Sequence, residues 1–146
     1  MEGPPAIQRG LRRTDAVRLL ESAGLPSSDL TDAHFEHFFC SGPPASPYGM
    51  VGVEFCGPDA LLRSLVVIPE MRASGLGSQL VKHAERYAQS KGARAVYLLT
   101  TTAEHFFSRR GYVSTPRDSA PSAIQKTREF AGLCPTSSAF LSKQLI

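Results

Sequence analysis

The sequence predicts an α/β domain in which a crossover joins two parallel strands, and three observations carry that expectation. First, an apolar run at Leu61 to Ile68 is followed by the glycine-rich stretch Arg72-Ala73-Ser74-Gly75-Leu76-Gly77, a helical segment from Leu76 to Ser90, and a second apolar run at Ala93 to Thr100. A strand, helix, strand order of this kind forms a right-handed crossover between parallel neighbours. Second, the helical segment sets Leu76, Leu80, Ala84 and Ala88 on one stripe and Lys82, Glu85, Arg86 and Gln89 toward solvent, as a helix lying on a sheet requires. Third, 146 residues suffice for one domain, residues 1–146, that buries roughly two-thirds of the surface its unfolded chain exposes.

The other elements follow in order. Ala6 to Leu11 is a short strand candidate. Thr14 is placed to cap a helix from Asp15 to about Ala23, which Gly24 and Pro26 stop. Leu30 to Cys40, with Phe35, Phe38 and Phe39, fits a helix end, a strand, or one followed by the other, and its end favours a strand. Ser41 to Pro47, rich in proline, is a loop. Gly49 to Phe55 is a strand whose one charge is Glu54, and Gly57-Pro58-Asp59 turns the chain into Leu61 to Ile68. That run, broken by Arg63 and Ser64, is apolar enough for a central strand. Gly92 ends the long helix. Thr101 and Glu104 have capping-box spacing, which predicts a short helix from Thr102 to Arg110 closed by Gly111. Tyr112 to Thr115 is a strand, Ala120 to Phe130 a helix opened by Pro121, and Ser138 to Leu145 the closing strand.

Composition narrows the function classes. The chain is 42% hydrophobic and 20% charged, and its net charge of +3 comes from 16 basic and 13 acidic side chains. No Lys/Arg block marks a nucleic-acid partner. No apolar run approaches the roughly 20 residues that cross a bilayer. The first residues lack the basic and apolar regions of a secretion signal, so the expected location is the cytoplasm, with no membrane partner. Cys40, Cys56 and Cys134 are odd in number and far apart, which predicts free thiols. His34, His37 and Cys40 would align as metal ligands only on an unbroken helix, whereas the aromatic run leans toward extended chain, and no metal is expected.

The glycine stretch is an anion cradle. Two glycines allow a tight turn and close approach of consecutive N–H groups, and the following helix adds the unpaired amides and positive dipole end of its first turn. A phosphate or pyrophosphate suits such a site. A dinucleotide fingerprint needs a third glycine where Leu80 stands, and a Walker loop needs Gly-Lys-Ser/Thr where the chain has Gly77-Ser78-Gln79. What remains, Arg-x-x-Gly-x-Gly on a strand-loop-helix unit, resembles the acyl-CoA loop of the GNAT superfamily of N-acetyltransferases. The resemblance continues in the short helix, where Ala103, Phe106, Phe107, Gly111 and Tyr112 match the pattern Ala-x-x-Phe-Tyr-x-x-x-Gly-Phe, and it is strong over about residues 60 to 115.

The resemblance implies a mixed, mostly antiparallel sheet flanked by helices, whose two central parallel strands, Leu61 to Ile68 and Ala93 to Thr100, splay apart. It implies acetyl-CoA as cosubstrate. The pyrophosphate would rest on Arg72, Ala73, Ser74, Gly75, Leu76, Gly77 and Ser78, the pantetheine arm would pair with Leu65, Val66 and Val67, and Phe106 and Phe107 would lie against the cofactor. Thr127 to Pro135, Ser137 to Phe140, Leu62 to Leu65 and Leu98 to Thr102 look like the arsenic-resistance N-acetyltransferases, relatives associated with amino acids and glutamate-like phosphorus and arsenic analogues. That match adds Ser64 and Thr100 to the substrate-binding candidates. One departure matters: Phe107 stands where many members carry a tyrosine that protonates the CoA thiolate, so either solvent or another hydroxyl, with Tyr112 and Ser108 the nearest in sequence, does so, or thiolate protonation is not limiting.

Acetyl transfer needs a neutral amine, donors for the developing oxyanion, and a proton exit. A backbone N–H near Val67 is the oxyanion candidate. Glu54 is either the general base or a solvent-facing strand residue. Arg63, a guanidinium within a buried strand, meets either a substrate carboxylate or an internal acid such as Glu54. Arg117 lies in a loop able to close over substrate, while Arg109 and Arg110 are expected in solvent. The expected partner is a small-molecule amine, and a second copy of the chain is the candidate protein partner. Two alternatives stand beside the small-amine enzyme: acetylation of a protein amine, and a silent acyl-CoA-binding module.

Overall fold

In the computed structural model, residues 6–43 and 45–145 are described; the amino-terminal reading of residues 1–5, Pro44 of the proline loop and Ile146 lie outside them. A seven-stranded sheet organises the chain. Its strands are β1 (Ile7–Gln8), β2 (Phe38–Ser41), β3 (Gly49–Cys56), β4 (Asp59–Val67), β5 (Ala95–Thr100), β6 (Val113–Ser114) and β7 (Ala139–Gln144), in the spatial order β1-β2-β3-β4-β5-β7-β6. Among the described residues β4 and β5 are the parallel pair, and every other neighbour is antiparallel. The fold is therefore the expected one, mostly antiparallel with a central parallel pair. The helices are α1 (Arg13–Ser22), α2 (Asp32–Phe35), α3 (Leu76–Ser90), α4 (Glu104–Ser108) and α5 (Ser122–Gln125).

α3 covers one face of the sheet. Its buried stripe, Leu76, Leu80, Val81, Ala84 and Ala88, packs with Val51, Val53, Leu62, Val96 and Leu98, each large side chain adding about 1.5–3 kcal/mol of hydrophobic stabilisation. On the other face α1 brings Ala16 and Leu20 to Phe38, Met50 and Val66, and α5 brings Ile124 to Leu61 and Phe140.

A bulge decides which β4 side chains reach which face. Met50 opposes Val66 and Gly52 opposes Arg63, so two β4 residues, Ser64 and Leu65, face the single residue Val51. The extra residue is accommodated at Ser64, whose φ is 60°, an uncommon backbone conformation for a residue with a Cβ. Ala60 and Leu62 lie on the α3 side before the bulge; Leu65 and Val67 pack there after it, and Val66 points to the α1 side.

Several local expectations shift. α1 starts at Arg13 with Arg12 at the cap, because the Ala16 amide donates to the Arg12 carbonyl (2.9 Å) and Arg12 Nε donates to Asp15 (2.9 Å), so Thr14 lies inside the helix. The ambiguous segment resolves as a helix, α2, followed by a strand, β2. α4 starts at Glu104, and the hydroxyl that caps the turn before it is Thr100 Oγ1, which accepts the Ala103 N–H (3.0 Å), not Thr101. The helix expected from Ala120 to Phe130 breaks after Gln125. Thr127 Oγ1 donates back to the Ile124 carbonyl (2.7 Å), a bond that competes with continued helix, and a turn kinked at Gly132 follows at Glu129–Leu133.

Candidate active site

Parallel pairing between β4 and β5 is confined to Ala60 with Val96 and Leu61 with Tyr97. Beyond those residues the strands diverge, and two adjacent hollows open there. The inner one, about 570 Å³, is lined by the β4 bulge, the end of β5, Phe107 and the segment from Glu129 to Ser138. The outer one, about 510 Å³, is lined by Leu65, Val66, Val67, Arg72, Gly75, Gly77, Ser78, Phe106 and Arg110. Leu25, Leu65, Thr102 and Ala103 line both.

The glycine stretch has the geometry of an anion cradle. Gly75 caps α3 at φ 87°, a left-handed conformation that disfavours any residue with a Cβ. A Cβ on Gly77 would sit 3.3 Å from the Phe106 ring, so this glycine lets α3 and α4 approach. The first helical bond is the Gln79 amide to the Gly75 carbonyl (3.2 Å); the amides of Gly77 and Ser78 precede it and have no carbonyl of the same helix to meet. Ser74 Oγ accepts the Leu76 N–H at 3.3 Å and donates to the Met71 carbonyl at 2.6 Å, which holds the turn closed. Arg72 ties the loop to β4 through Nε and the Val67 carbonyl (3.2 Å).

Arg110 is a site residue that sequence reasoning assigned to solvent. Its guanidinium lies 3.6 Å from the Phe106 ring centroid, donates to the Phe106 carbonyl (2.7 Å) and reaches Ser78 Oγ (3.3 Å). The charge is thereby held beside the helix amides, where an anion would meet both. The available signal was its i+4 spacing from Phe106.

Of the two readings of Arg63, the internal ion pair is the observed one. Arg63 is 3% exposed. It donates to both oxygens of Asp29 (2.6 and 2.9 Å), to Glu54 (3.0 Å) and through Nε to Ser64 Oγ (3.3 Å), and Nη2 lies 3.2 Å from Glu129. With every guanidinium nitrogen engaged, Arg63 borders the inner hollow without a donor left for a substrate carboxylate. Glu54 belongs to this cluster and is absent from the lining of both hollows, so its carboxylate serves Arg63 in this arrangement. Burial raises the Asp29 carboxyl, but the hydrogen bonds and charge of Arg63 outweigh it and hold the group below its ordinary value. Glu129, 4% exposed, goes the other way: burial first, then the carboxylates of Asp29 and Glu54, push it up to about 7 against the pull of Arg63. No sequence signal singled out Glu129 or Asp29, since both meet Arg63 only in the fold.

The hydroxyls suggested as replacements for the missing tyrosine are engaged elsewhere. Tyr112 is buried under α3 and donates to Glu85 (2.9 Å), and burial together with that acid raises its phenol far above its ordinary value. Ser108 donates to the His105 carbonyl (3.0 Å). Phe107 fills the core beside Tyr112 and borders the inner hollow. Thr100 and Ser64 border it as well. Arg117 donates to the carbonyls of Pro135 (3.3 Å) and Ser138 (3.1 Å), fastening the segment that roofs the hollow rather than lining it. Cys134 lines it, but burial, then Glu129, push its thiol up to about 11, which disfavours a nucleophilic thiolate.

His34, His37 and Cys40 do not converge: His34 Nδ1 accepts the Thr31 N–H (3.0 Å), His37 bonds Tyr87 (2.6 Å) and Cys40 is buried in β2. Asp29, His34 and Glu54 do bring ligating atoms within 4.8 Å of one another. The Thr31 bond leaves the neutral His34 proton on Nε2, which faces Glu54 at 3.8 Å, an arrangement for a carboxylate rather than a metal. Among the described residues, no helix is long and apolar enough to cross a membrane.

The model of the Acetyltransferase (GNAT) family matches residues 17–112. An amino-acid acetyltransferase of Ralstonia nicotianae is 37% identical over 62 residues, 42% of this chain and 14% of that protein. An uncharacterized N-acetyltransferase of Chlorobaculum tepidum is 32% identical over 92 residues, 62% of this chain and 59% of that protein. Among solved structures, N-acetylglutamate synthase of Neisseria gonorrhoeae complexed with coenzyme A and N-acetyl-glutamate superposes with a TM-score of 0.80 at 22% identity, covering 100% of this chain and 36% of that one. The chain thus spans a minor part of the amino-acid acetyltransferases it matches.

Proposed function

The chain belongs to the GNAT acetyltransferase family, and we propose that it is an acetyl-CoA-dependent N-acetyltransferase acting by direct transfer on the amino group of a small amino acid or glutamate-like analogue. The observation that carries this reading is the adjacency of the two hollows: the one at the anion cradle and the β4 edge shares Leu25, Leu65, Thr102 and Ala103 with a second hollow of a size to take an amine.

The cradle fits a pyrophosphate. The first-turn amides of α3, the left-handed Gly75 and the guanidinium of Arg110 offer donors and positive charge to one anion. Ser78 and Arg110 also border a groove on the outer side of α3 and α4 with Lys82 and Arg109, cations suited to the phosphorylated ribose end of the cofactor. The pantetheine arm carries amides that can bond the unpaired edge of β4 around Leu65 to Val67, as an added strand would. Acetyl-CoA, once bound, supplies the thioester. The protein's part is to hold the thioester carbonyl against the amine, and positioning of that kind is worth up to roughly 7–11 kcal/mol in favourable intramolecular models.

The amino-acid acceptor is supported by the 37%-identical relatives and by the volume of the inner hollow, about 570 Å³, which suits a metabolite rather than a folded protein surface. The narrower likeness to arsenic-resistance enzymes adds glutamate-like phosphinic and arsonic amino acids to the candidates. Release of CoA thiol across the common amino acids, these analogues and a lysine peptide tests the reading. Turnover of a free amino acid or analogue supports it. Turnover of the peptide alone would transfer it to protein amines, and CoA binding with no thiol release from any acceptor would make the chain a silent binding module.

A further inference from the structure

A separate hollow of about 560 Å³ lies at the other end of the parallel pair, where β4 and β5 stay joined. Its walls are the turn into β4, the start of β5, the first residues of α5 and the end of β7. None of its lining residues borders the inner hollow, the outer hollow or the groove beside α3 and α4. The transferase reading therefore leaves it without a use.

Asp59, which lines this hollow, is 7% exposed, yet among the described residues its carboxylate has no hydrogen-bond or ion-pair partner. The carboxylate is not sealed off: among the described residues the sealed side-chain polar atom without a partner is Ser138 Oγ, so the Asp59 oxygens keep an opening on the hollow. Carboxylates this deeply buried are almost always paired, and this one lacks its counter-charge. Arg94 brings the opposite charge without neutralising it. Its amide donates to the Pro58 carbonyl (2.9 Å) and its carbonyl accepts the Leu145 amide (3.0 Å), which fixes its backbone beside the turn that carries Asp59. Its side chain is exposed, and no ion pair joins it to Asp59. Both groups nevertheless act on one hydroxyl: burial raises the Tyr97 phenol, Asp59 raises it further, and Arg94 pulls it back. The Tyr97 ring is held by stacking on Phe140, with centroids 5.7 Å apart. An acid and a guanidinium that address the same phenol but not each other leave room between them for a ligand with both complementary charges. Cys56 lines the hollow too, but burial, then Glu54 and Asp59, push its thiol up to about 12, so the hollow is built to bind rather than to react.

We propose that this hollow is a second small-molecule site, which takes a zwitterionic α-amino acid with its ammonium on Asp59 and its carboxylate on Arg94. The ammonium gives the buried carboxylate the counter-charge and donors it lacks, and the planar fork of Arg94 matches a carboxylate. A simple cation leaves Arg94 unused, and a simple anion meets Asp59 as a like charge, so the pair selects a molecule bearing both charges. Among the described residues the Tyr97 hydroxyl and the Gln144 amide have no internal hydrogen bond, and they can meet the remaining ammonium protons and carboxylate oxygens. The ligand joins β4 through Asp59 to β5 through Tyr97, beside the pairs Ala60 with Val96 and Leu61 with Tyr97. It thereby braces the end from which the strands diverge. The proposal stands whether or not the chain transfers acetyl groups.

The test is binding of the common amino acids, added one at a time to the full chain with and without CoA, with methylamine and acetate as single-charge probes. NMR follows the side-chain carboxyl carbon of Asp59 and the Nε–Hε signal of Arg94. At least one amino acid should shift both signals together, with a Kd on the order of 1 mM or tighter. Methylamine and acetate should each bind at least about tenfold more weakly, since each forgoes one charged contact. Asp59→Asn and Arg94→Ala should each weaken binding of that amino acid by about tenfold or more and leave CoA affinity unchanged. Arg94→Ala alters an exposed side chain, so it keeps the test decisive should the strand variant fail to fold. Absence of the paired shift with every amino acid, or undiminished affinity in Arg94→Ala, would overturn the proposal. Equal or tighter binding of methylamine or acetate would overturn it too, by making the hollow a site for a single charge. Shifts confined to Ser64, Thr100 and Cys134 of the inner hollow would place the amino acid with the acceptor instead and refute a second site.

Discussion

Replacing Glu129 by glutamine should make the protein more stable at alkaline pH, a direction opposite to that of most changes at a buried ion cluster. The carboxyl moves from an ordinary value of 4.5 to about 7 in the folded chain. At 1.36 kcal/mol per pH unit of displacement, keeping it ionised in the fold costs on the order of 3 kcal/mol. Below 4.5 both folded and unfolded chains hold the proton and no cost arises. Between 4.5 and 7 the unfolded chain releases it first, so this group's contribution to stability falls as pH rises, and above 7 the full cost is present. Glutamine is neutral throughout and its oxygen can still accept from Arg63. Glu129→Gln should therefore melt higher than wild type at pH 8.5, by on the order of 10 °C for a domain of this size, with the two curves converging toward pH 4.5. Asp29, whose lowered value makes stability fall as pH drops, acts alike in both proteins. Calorimetric melting across pH 4.5 to 8.5 is the assay. A Tm difference that does not change with pH, or a wild type that is the more stable protein at pH 8.5, would refute the charge imbalance around Arg63.

Arg110→Ala should weaken CoA binding by about tenfold, since it removes a guanidinium held 3.6 Å from the Phe106 ring centroid beside Ser78 and with it a charge-assisted contact worth roughly 1.5 kcal/mol; isothermal calorimetry at two salt concentrations should also show a shallower salt dependence. Gly75→Val forces a β-branched residue to φ 87° and should weaken CoA binding at least as much; unchanged affinity would contradict the cradle. Tyr112→Phe should cost about 1 kcal/mol of stability through the lost bond to Glu85 and leave kcat within about twofold, whereas a large fall in kcat would restore Tyr112 as the thiolate's proton donor.

The parts of the site that are local in sequence were legible before the fold was known. Gly75 and Gly77 sit between a central strand and an amphipathic helix, so the cradle follows from adjacent residues, and Ala103, Phe106, Phe107 and Gly111 marked the wall facing it. The parts assembled across the chain were not. Asp29 lies 34 residues from Arg63, and Glu129 reaches Arg63 only because Thr127 turns its hydroxyl on the Ile124 carbonyl and ends α5 early. An alternation pattern places Glu54 and Arg63 on strands, but it cannot say that three acids share one guanidinium, the sharing that ties the Glu54 carboxylate to Arg63. Tyr112 illustrates the same limit: its position next to Phe107 is visible in the sequence, while the packing that turns its hydroxyl to Glu85 beneath α3 is not.

The central claim, that diverging strands and a glycine cradle together hold coenzyme A, is tested most directly by following backbone amide NMR signals as CoA is added. The largest shifts should fall on Gly75, Gly77 and Ser78 of the cradle and on Leu65 to Val67 of β4, with Ala60 and Leu61, where the strands remain paired, little changed. Shifts confined to the outer groove at Lys82 and Arg109, with the cradle and the β4 edge silent, would contradict it.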